Sequence, residues 1–147
     1  MLKSKKIAGD LIQVVLIAVL FLVILILVVF SAISYQKSVE IQDMNNNTRA
    51  VLTYVTTAVK ASPGSHIEIA DRGGQQVLVI SEEGSEFEQQ IFFEDGNVLE
   101  AYVMAGSEPY APDALVVGEA QQFEMSLVTD ELLEIQTNLG TSYVHIR

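Results

Sequence analysis

The pattern of apolar positions changes twice along the chain. Residues 11–33 form one nearly continuous apolar run, in which only Gln13 and Ser31 are polar. Apolar residues then recur near helical spacing through residues 34–61, and from His66 onward they alternate with polar residues. This order predicts one long helix followed by short antiparallel strands.

The apolar run is long enough to cross a membrane. Its 23 residues would span about 34 Å as a helix, and the hydrocarbon core of a bilayer is about 30 Å thick. A cleavable signal peptide is the alternative, because residues 32–34 include the small side chains that signal peptidase requires. The apolar region of such a peptide is normally only about 7–15 residues long. We therefore predict a retained transmembrane helix over residues 11–33.

The positions of the charged residues predict the orientation of this helix. Lys3, Lys5 and Lys6 precede the apolar run, whereas residues 34–147 contain 18 Asp and Glu residues against five Lys and Arg residues. Because basic flanks stay on the cytoplasmic side, residues 1–10 are predicted to be a basic cytoplasmic leader. The predicted protein is a single-pass protein of the cytoplasmic membrane with an extracytoplasmic C-terminal domain.

Residues 34–61 are predicted to continue the helix as an extracytoplasmic stem. An apolar stripe follows one helical face at Ile41, Met44, Val51, Val55 and Val59. The β-branched residues between Thr53 and Val59 also fit a strand, and the three asparagines at 45–47 have poor helix propensity. Pro63 marks the end of the segment, since proline cannot continue a helix.

Residues 66–147 are predicted to form an antiparallel sheet of four to seven strands. The strands are expected at residues 66–70, 77–81, 87–93 and 98–104, with further short strands near 123–127, 133–135 and 143–146. Asp95-Gly96 is a strong hairpin signal, because a type I′ turn needs positive φ at both central residues. Residues 106–118, which contain two prolines, are predicted to be a surface loop.

The predicted fold class is α+β, with a long N-terminal helix packed on a small antiparallel sheet. The side chains expected at the core of sheet and helix are Val51, Val55, Phe93, Phe123, Leu133 and Ile135. Phe92 and Phe93 are adjacent in one strand and therefore point to opposite faces. One ring could then be exposed, but the favoured interpretation is that core packing and contact with the helix account for both rings.

Composition excludes several classes of function. The predicted extracytoplasmic part has a net charge near −13, which argues against nucleic acid because phosphate binding needs Lys and Arg. The absence of cysteine excludes disulfides, thiolate metal sites and cysteine nucleophiles. The sequence also lacks the Gly-x-Ser-x-Gly motif of serine hydrolases. We therefore predict a protein that is not an enzyme.

Two groups of residues are candidate metal sites. Glu82, Glu83, Glu86 and Glu88 could offer oxygen ligands to calcium, but the run lacks the alternating ligand pattern of a dedicated loop and fits a solvated turn. The two histidines of the chain, His66 and His145, are far apart in sequence, and no third ligand accompanies them. The sequence therefore predicts no metal, no cofactor and no catalytic residue.

The start of the apolar run carries a resemblance to a known family. Leu11-Ile12-Gln13-Val14 follows a short Lys-rich leader with Ala8-Gly9, and this arrangement resembles the N-terminal signature of type IV pilins and pseudopilins. The family has a short basic leader, cleavage after Gly or Ala, and a Leu-Ile-Glu-like triplet that opens a long apolar helix. Here Gln13 replaces the glutamate. Cleavage is expected after Ala8 if the triplet sets the alignment, and after Gly9 if the glycine does.

The rest of the chain resembles an uncharacterised pilin-like group of Gram-positive bacteria near competence-pilus and type II secretion-like components. The shared features are Arg49 before Tyr54-Val55, the Phe93-x-Asp95-Gly96-x-Val98-x-Glu100 hairpin, Leu132-Leu133 and Arg147. The resemblance implies a minor pseudopilin-like subunit whose partners are other pilin-like subunits and a membrane assembly platform. The alternative is a membrane-anchored extracytoplasmic binding or sensor domain unrelated to filaments.

Overall fold

A single helix forms the N-terminal part of the chain. The computed structural model describes residues 2–146, with side chains from residue 9 onward. Helix α1 spans Leu2–Ala61, which confirms the predicted long helix. The strand alternative at residues 53–59 is wrong, because Val51, Val55 and Val59 recur every four residues and are all buried on one helical face.

Eight strands follow the helix and confirm the predicted α+β fold class. They are β1 His66–Arg72, β2 Gln75–Ser81, β3 Phe87–Glu94, β4 Asn97–Met104, β5 Leu115–Glu119, β6 Phe123–Thr129, β7 Leu132–Thr137 and β8 Gly140–His145. Strands β1 to β5 form one antiparallel sheet in chain order, and β6 to β8 form a second. The predicted Asp-Gly turn joins β3 to β4, with positive φ at both Asp95 and Gly96.

Two sequence expectations about the sheet are wrong. The strands form two sheets instead of one, because β6 pairs with β7 and the first ladder ends at β5. The segment 106–118 is also not wholly a loop, since Leu115–Glu119 is a strand that pairs with β4 through a register shift between Val98 and Leu99. The two prolines of the segment lie before this strand, so they do not interrupt its ladder.

The larger hydrophobic core lies between the C-terminal part of α1 and the two sheets. Most of the predicted core side chains are buried in it: Val51, Val55, Phe123, Leu133 and Ile135. Phe93 is half-buried, and its ring centroid lies 6.3 Å from that of Phe123. The helical stripe contributes from Val51 onward, whereas Ile41 is half exposed.

A second, smaller core lies on the opposite face of the five-stranded sheet. Its buried side chains are Val77, Val79, Phe92, Leu99 and Ala101. Residues 105–114, called the covering segment below, pack Ala111 and Ala114 against this core. Neither ring of the Phe92 and Phe93 pair is therefore fully exposed, because each face of the sheet is covered by a different part of the chain.

Candidate functional site

The apolar part of α1 is fully exposed in the isolated chain. Every described side chain of residues 9–43 is exposed, including the whole of the apolar run. An 18-residue window of this helix has a mean hydropathy of 3.6, and none of it is buried against the protein. Such a surface needs an apolar environment, so the segment suggests a membrane anchor.

The pilin-like signature lies at the start of this exposed surface. Leu11, Ile12 and Val14 are more than half exposed, and Gln13 is exposed with them. A β-carbon added at Gly9 would meet no other atom within 4 Å, so the helix leaves space around the expected cleavage region. The side chain of Ala8 and all of Arg147 lie outside the described residues. Leader cleavage after Ala8 or Gly9 stays a prediction.

Helix α1 passes directly over a glycine of the five-stranded sheet. Gly118 lies in edge strand β5, and a β-carbon built there would sit 2.7 Å from Cγ2 of Val51 and 3.7 Å from the carbonyl oxygen of Asn47. Contacts below 3 Å are not tolerated between carbon atoms, and Val51 is itself fully buried. The absence of a side chain at residue 118 therefore makes room for Val51 of the helix.

A polar contact accompanies this apolar packing on the same face. The hydroxyl of Tyr54 donates to one carboxylate oxygen of Glu100, and the side-chain amide of Gln89 donates to the other. Burial of the phenol, followed by the hydrogen bond to Glu100 and its negative charge, raises the pKa of Tyr54 to about 12. The contact joins α1 to strands β3 and β4 across 46 residues of sequence.

The opposite face of the sheet carries a buried ion pair. The guanidinium of Arg72 donates to both carboxylate oxygens of Glu88, with a distance of 3.2 Å between Nη2 and Oε2. Arg72 also donates to the carbonyl oxygen of Ser107 at 3.0 Å, and Gln90 donates to the same oxygen at 2.8 Å. The ion pair therefore holds the covering segment on the second core.

Glu88 stays ionised in these surroundings. Burial alone would raise the pKa of its carboxyl group, but the hydrogen bonds from Arg72, Gln90 and the backbone of Gly106, together with the charge of Arg72, lower the pKa below its ordinary value. The amide of Gln90 donates to Glu88 at 2.8 Å, while its Oε1 atom is buried without a partner. Glu88 is thus a structural side chain of the buried network.

The two histidines lie on one open groove. His66 and His145 line it together with Glu68, Asp130 and Glu131, so the structure brings together residues that are far apart in sequence. Nε2 of His66 lies 3.3 Å from Oε2 of Glu68, and Nδ1 of His145 lies 2.8 Å from the carbonyl oxygen of Glu131. Among the residues whose side chains are described, no group of three or more His, Asp and Glu residues is placed to hold a metal ion.

The four glutamates considered for calcium are divided between two environments. Glu82, Glu83 and Glu86 are exposed on the turn between β2 and β3, whereas Glu88 is buried against Arg72. A carboxylate that is already bound by a guanidinium is not available as a cation ligand. The solvated-turn interpretation therefore describes the three exposed glutamates.

The comparison with known families identifies the domain. Residues 46–139 match the family described as a domain of unknown function (DUF4860). The match covers more than half of the chain. The chain belongs to the DUF4860 family. No curated protein and no solved structure matches the chain.

The DUF4860 match contains the contacts that organise the fold. It begins in the part of α1 that packs on the sheet and continues into the β7–β8 turn, so it includes Gly118, the Tyr54–Glu100 contact and the Arg72–Glu88 pair. Sequence reasoning missed the roles of Arg72 and Gly118 in this DUF4860 domain. A glycine inside a strand is a known signal of close backbone approach and could have pointed to Gly118.

Proposed function

We propose that this DUF4860 protein is a non-enzymatic, membrane-anchored subunit of a pilin-like assembly of the type IV pilus or type II secretion-like class. The observation that carries the proposal is the helix Leu2–Ala61, which continues from a wholly exposed apolar segment into a segment packed on a sheet. The N-terminal half is then free to pack with helices of other subunits, and the sheet domain is presented outside the membrane.

The partners in this proposal are other pilin-like subunits and a membrane assembly platform. Without a hydrophobic driving force in the bilayer, helices associate through close packing and polar contacts. In the family that the N-terminus resembles, a glutamate at the position of Gln13 is thought to pair with the amino terminus of a neighbouring subunit. A neutral glutamine weakens that attraction, which suits a subunit at the tip or the start of an assembly better than one repeated along its shaft.

The experiment tests helix packing at Gln13. One cysteine is introduced at Ile17 and another at the corresponding position of a co-expressed pilin-like subunit. Because the chain has no other cysteine, a disulfide that includes this chain can form only through the cysteine at residue 17. We expect a disulfide between the two in membranes, and we expect Gln13→Glu to increase its yield. Ser31→Glu, which adds the same charge at the other polar position of the run, is the matched control and should not increase it.

The same experiment distinguishes the alternative function. A membrane-anchored binding or sensor domain unrelated to filaments would use residues 11–33 only as an anchor. It would give no disulfide with either residue at position 13, although the pilin-like subunits were present. An equal increase with Gln13→Glu and Ser31→Glu would also contradict a specific role of position 13.

A further inference from the structure

An exposed aromatic surface lies on the helix-facing side of the five-stranded sheet. Phe87 pairs with Met104 across β3 and β4, and Tyr102 pairs with Gln89 in the next row. The rings of Phe87 and Tyr102 are stacked, with centroids 5.6 Å apart and planes inclined by 15°. Phe87, Tyr102 and Met104 are 44%, 70% and 64% exposed. These three residues are called the aromatic patch below.

Three carboxylates border the aromatic patch. The turn between β2 and β3 carries the exposed Glu82, Glu83 and Glu86, which are called the acidic rim below. The turn is fixed beside the patch, because Ser85 Oγ donates to the Phe87 carbonyl at 2.8 Å and accepts from its amide at 3.0 Å. At the other strand, the amide of Ala105 donates to the carbonyl of Glu86 at 2.9 Å.

The charge around the patch selects the chemistry of a partner. Of the seven Asp and Glu residues in 82–104, Glu88 is paired with Arg72 on the opposite face, and Glu94 and Asp95 lie at the other end of the β3–β4 hairpin, so the charge beside the patch is that of the acidic rim; the segment contains no Lys or Arg. Nucleic acid and anionic lipid would be repelled by this surface. A second copy of this acidic domain would be repelled as well, since like charges facing each other oppose association. The complementary partner is therefore cationic.

We propose that the aromatic patch and its acidic rim bind a basic polypeptide segment in which Lys or Arg alternates with apolar residues. Apolar side chains would bury the exposed faces of Phe87, Tyr102 and Met104, which are residue types enriched at the centres of protein interfaces. The cationic side chains would pair with the acidic rim and lie over the aromatic rings. This inference does not depend on helix packing at Gln13.

The test uses the full chain in nanodiscs of zwitterionic lipid. The probe is a fluorescent peptide of alternating lysine and leucine, and its anisotropy measures binding at low salt. We expect binding that weakens at high salt and becomes roughly tenfold weaker in the Glu82→Gln, Glu83→Gln, Glu86→Gln triple variant. The matched control is Glu124→Gln, Asp130→Asn, Glu131→Gln, which removes the same charge from the three-stranded sheet and should change affinity less than twofold.

A second pair of variants tests the aromatic surface. Tyr102→Thr should weaken binding by about tenfold, whereas Tyr143→Thr, which removes another exposed tyrosine from β8, should have little effect. Thermal unfolding that is the same in both variants shows that each still folds. The proposal would be overturned if the peptide did not bind, or if the two charge variants lost the same affinity for it. It would also be overturned by equal losses of affinity in the two tyrosine variants, or by tighter binding to vesicles of phosphatidylglycerol than to the peptide.

Discussion

The two faces of the five-stranded sheet are covered in different ways. On one face, valines of α1 pack on aliphatic side chains of the strands, and Gly118 leaves room for Val51. On the other face, the covering segment lies over a smaller apolar core and is held by the buried pair Arg72 and Glu88. The face covered by α1, called the helix face below, is stabilised by complementary shape. The face under the covering segment, called the charged face below, is stabilised by an ion pair. Different substitutions should therefore destabilise each face.

The largest expected effect concerns the charged face. Arg72→Met leaves the carboxylate of Glu88 buried without its cation, and breaking a buried ion pair in this way costs about 3–5 kcal/mol. Urea unfolding in detergent micelles, followed by the circular dichroism of the sheets, measures the free energy. Arg49→Met, at an exposed arginine of α1, is the matched control. The double variant Arg72→Met, Glu88→Gln should lose less free energy of unfolding than Arg72→Met alone. Similar losses for Arg72→Met and Arg49→Met would show that the ion pair contributes nothing to stability.

The second prediction concerns the shape of the helix face. Gly118→Ala places a methyl group 2.7 Å from Cγ2 of Val51, and overpacking of this kind costs about 1–3 kcal/mol. Val51→Ala should also destabilise the domain, because it leaves a cavity. The smaller side chain at residue 51 makes room for the methyl group. The loss in free energy of unfolding of the double variant should therefore be smaller than the sum of the losses of the two single variants. Strict additivity in the same urea measurement would contradict this contact.

The third prediction is the pH dependence of the charged face. The pKa of Glu88 is lowered in the folded protein, so folding gains stability from its ionisation above the ordinary pKa of a glutamate, and this gain is lost as pH falls through the folded pKa. The free energy of unfolding should therefore fall on acidification below the ordinary pKa. Glu88→Gln should reduce this dependence, whereas Glu124→Gln at an exposed position should leave it nearly unchanged.

The smallest expected effect is at the polar contact of the helix face. Tyr54→Phe removes the hydroxyl that donates to Glu100 and should cost about 0.5–1.5 kcal/mol. Because the pKa of Tyr54 is raised to about 12, its contribution is present below the ordinary tyrosine pKa and is lost as pH rises through about 12. An absorbance titration should show one phenol ionising near pH 12, and this transition should be absent in Tyr54→Phe but present in Tyr143→Phe.

Local spacing allowed the helix face to be predicted from the sequence. Val51, Val55 and Val59 are separated by four residues, so the buried stripe of the helix can be recognised within a short window. The hairpin at Asp95-Gly96 was equally accessible, because its turn residues are adjacent. Both features depend on neighbours in sequence, and the structure contains both.

The contacts of the charged face could not be predicted in the same way. Arg72 and Glu88 are 16 residues apart, and Arg72 and Ser107 are 35 residues apart, so no periodicity relates them. Strand β5 was missed for a similar reason, since it is defined by pairing with β4 through a register shift. The groove with His66 and His145 depends on the meeting of the two sheets. Long-range pairing decides these features, and local patterns of residues along the chain do not reveal it.

The missing side chain at Gly118 has a mechanical consequence. Val51 occupies the space above this residue. Sliding the helix along the strand would move the valine methyl out of the space that the glycine leaves free. A pulling force applied along the helix axis would therefore meet steric resistance at Gly118, in addition to the packing of Val55 and Val59 and the Tyr54–Glu100 contact, so axial tension would reach the sheet before the helix could slip.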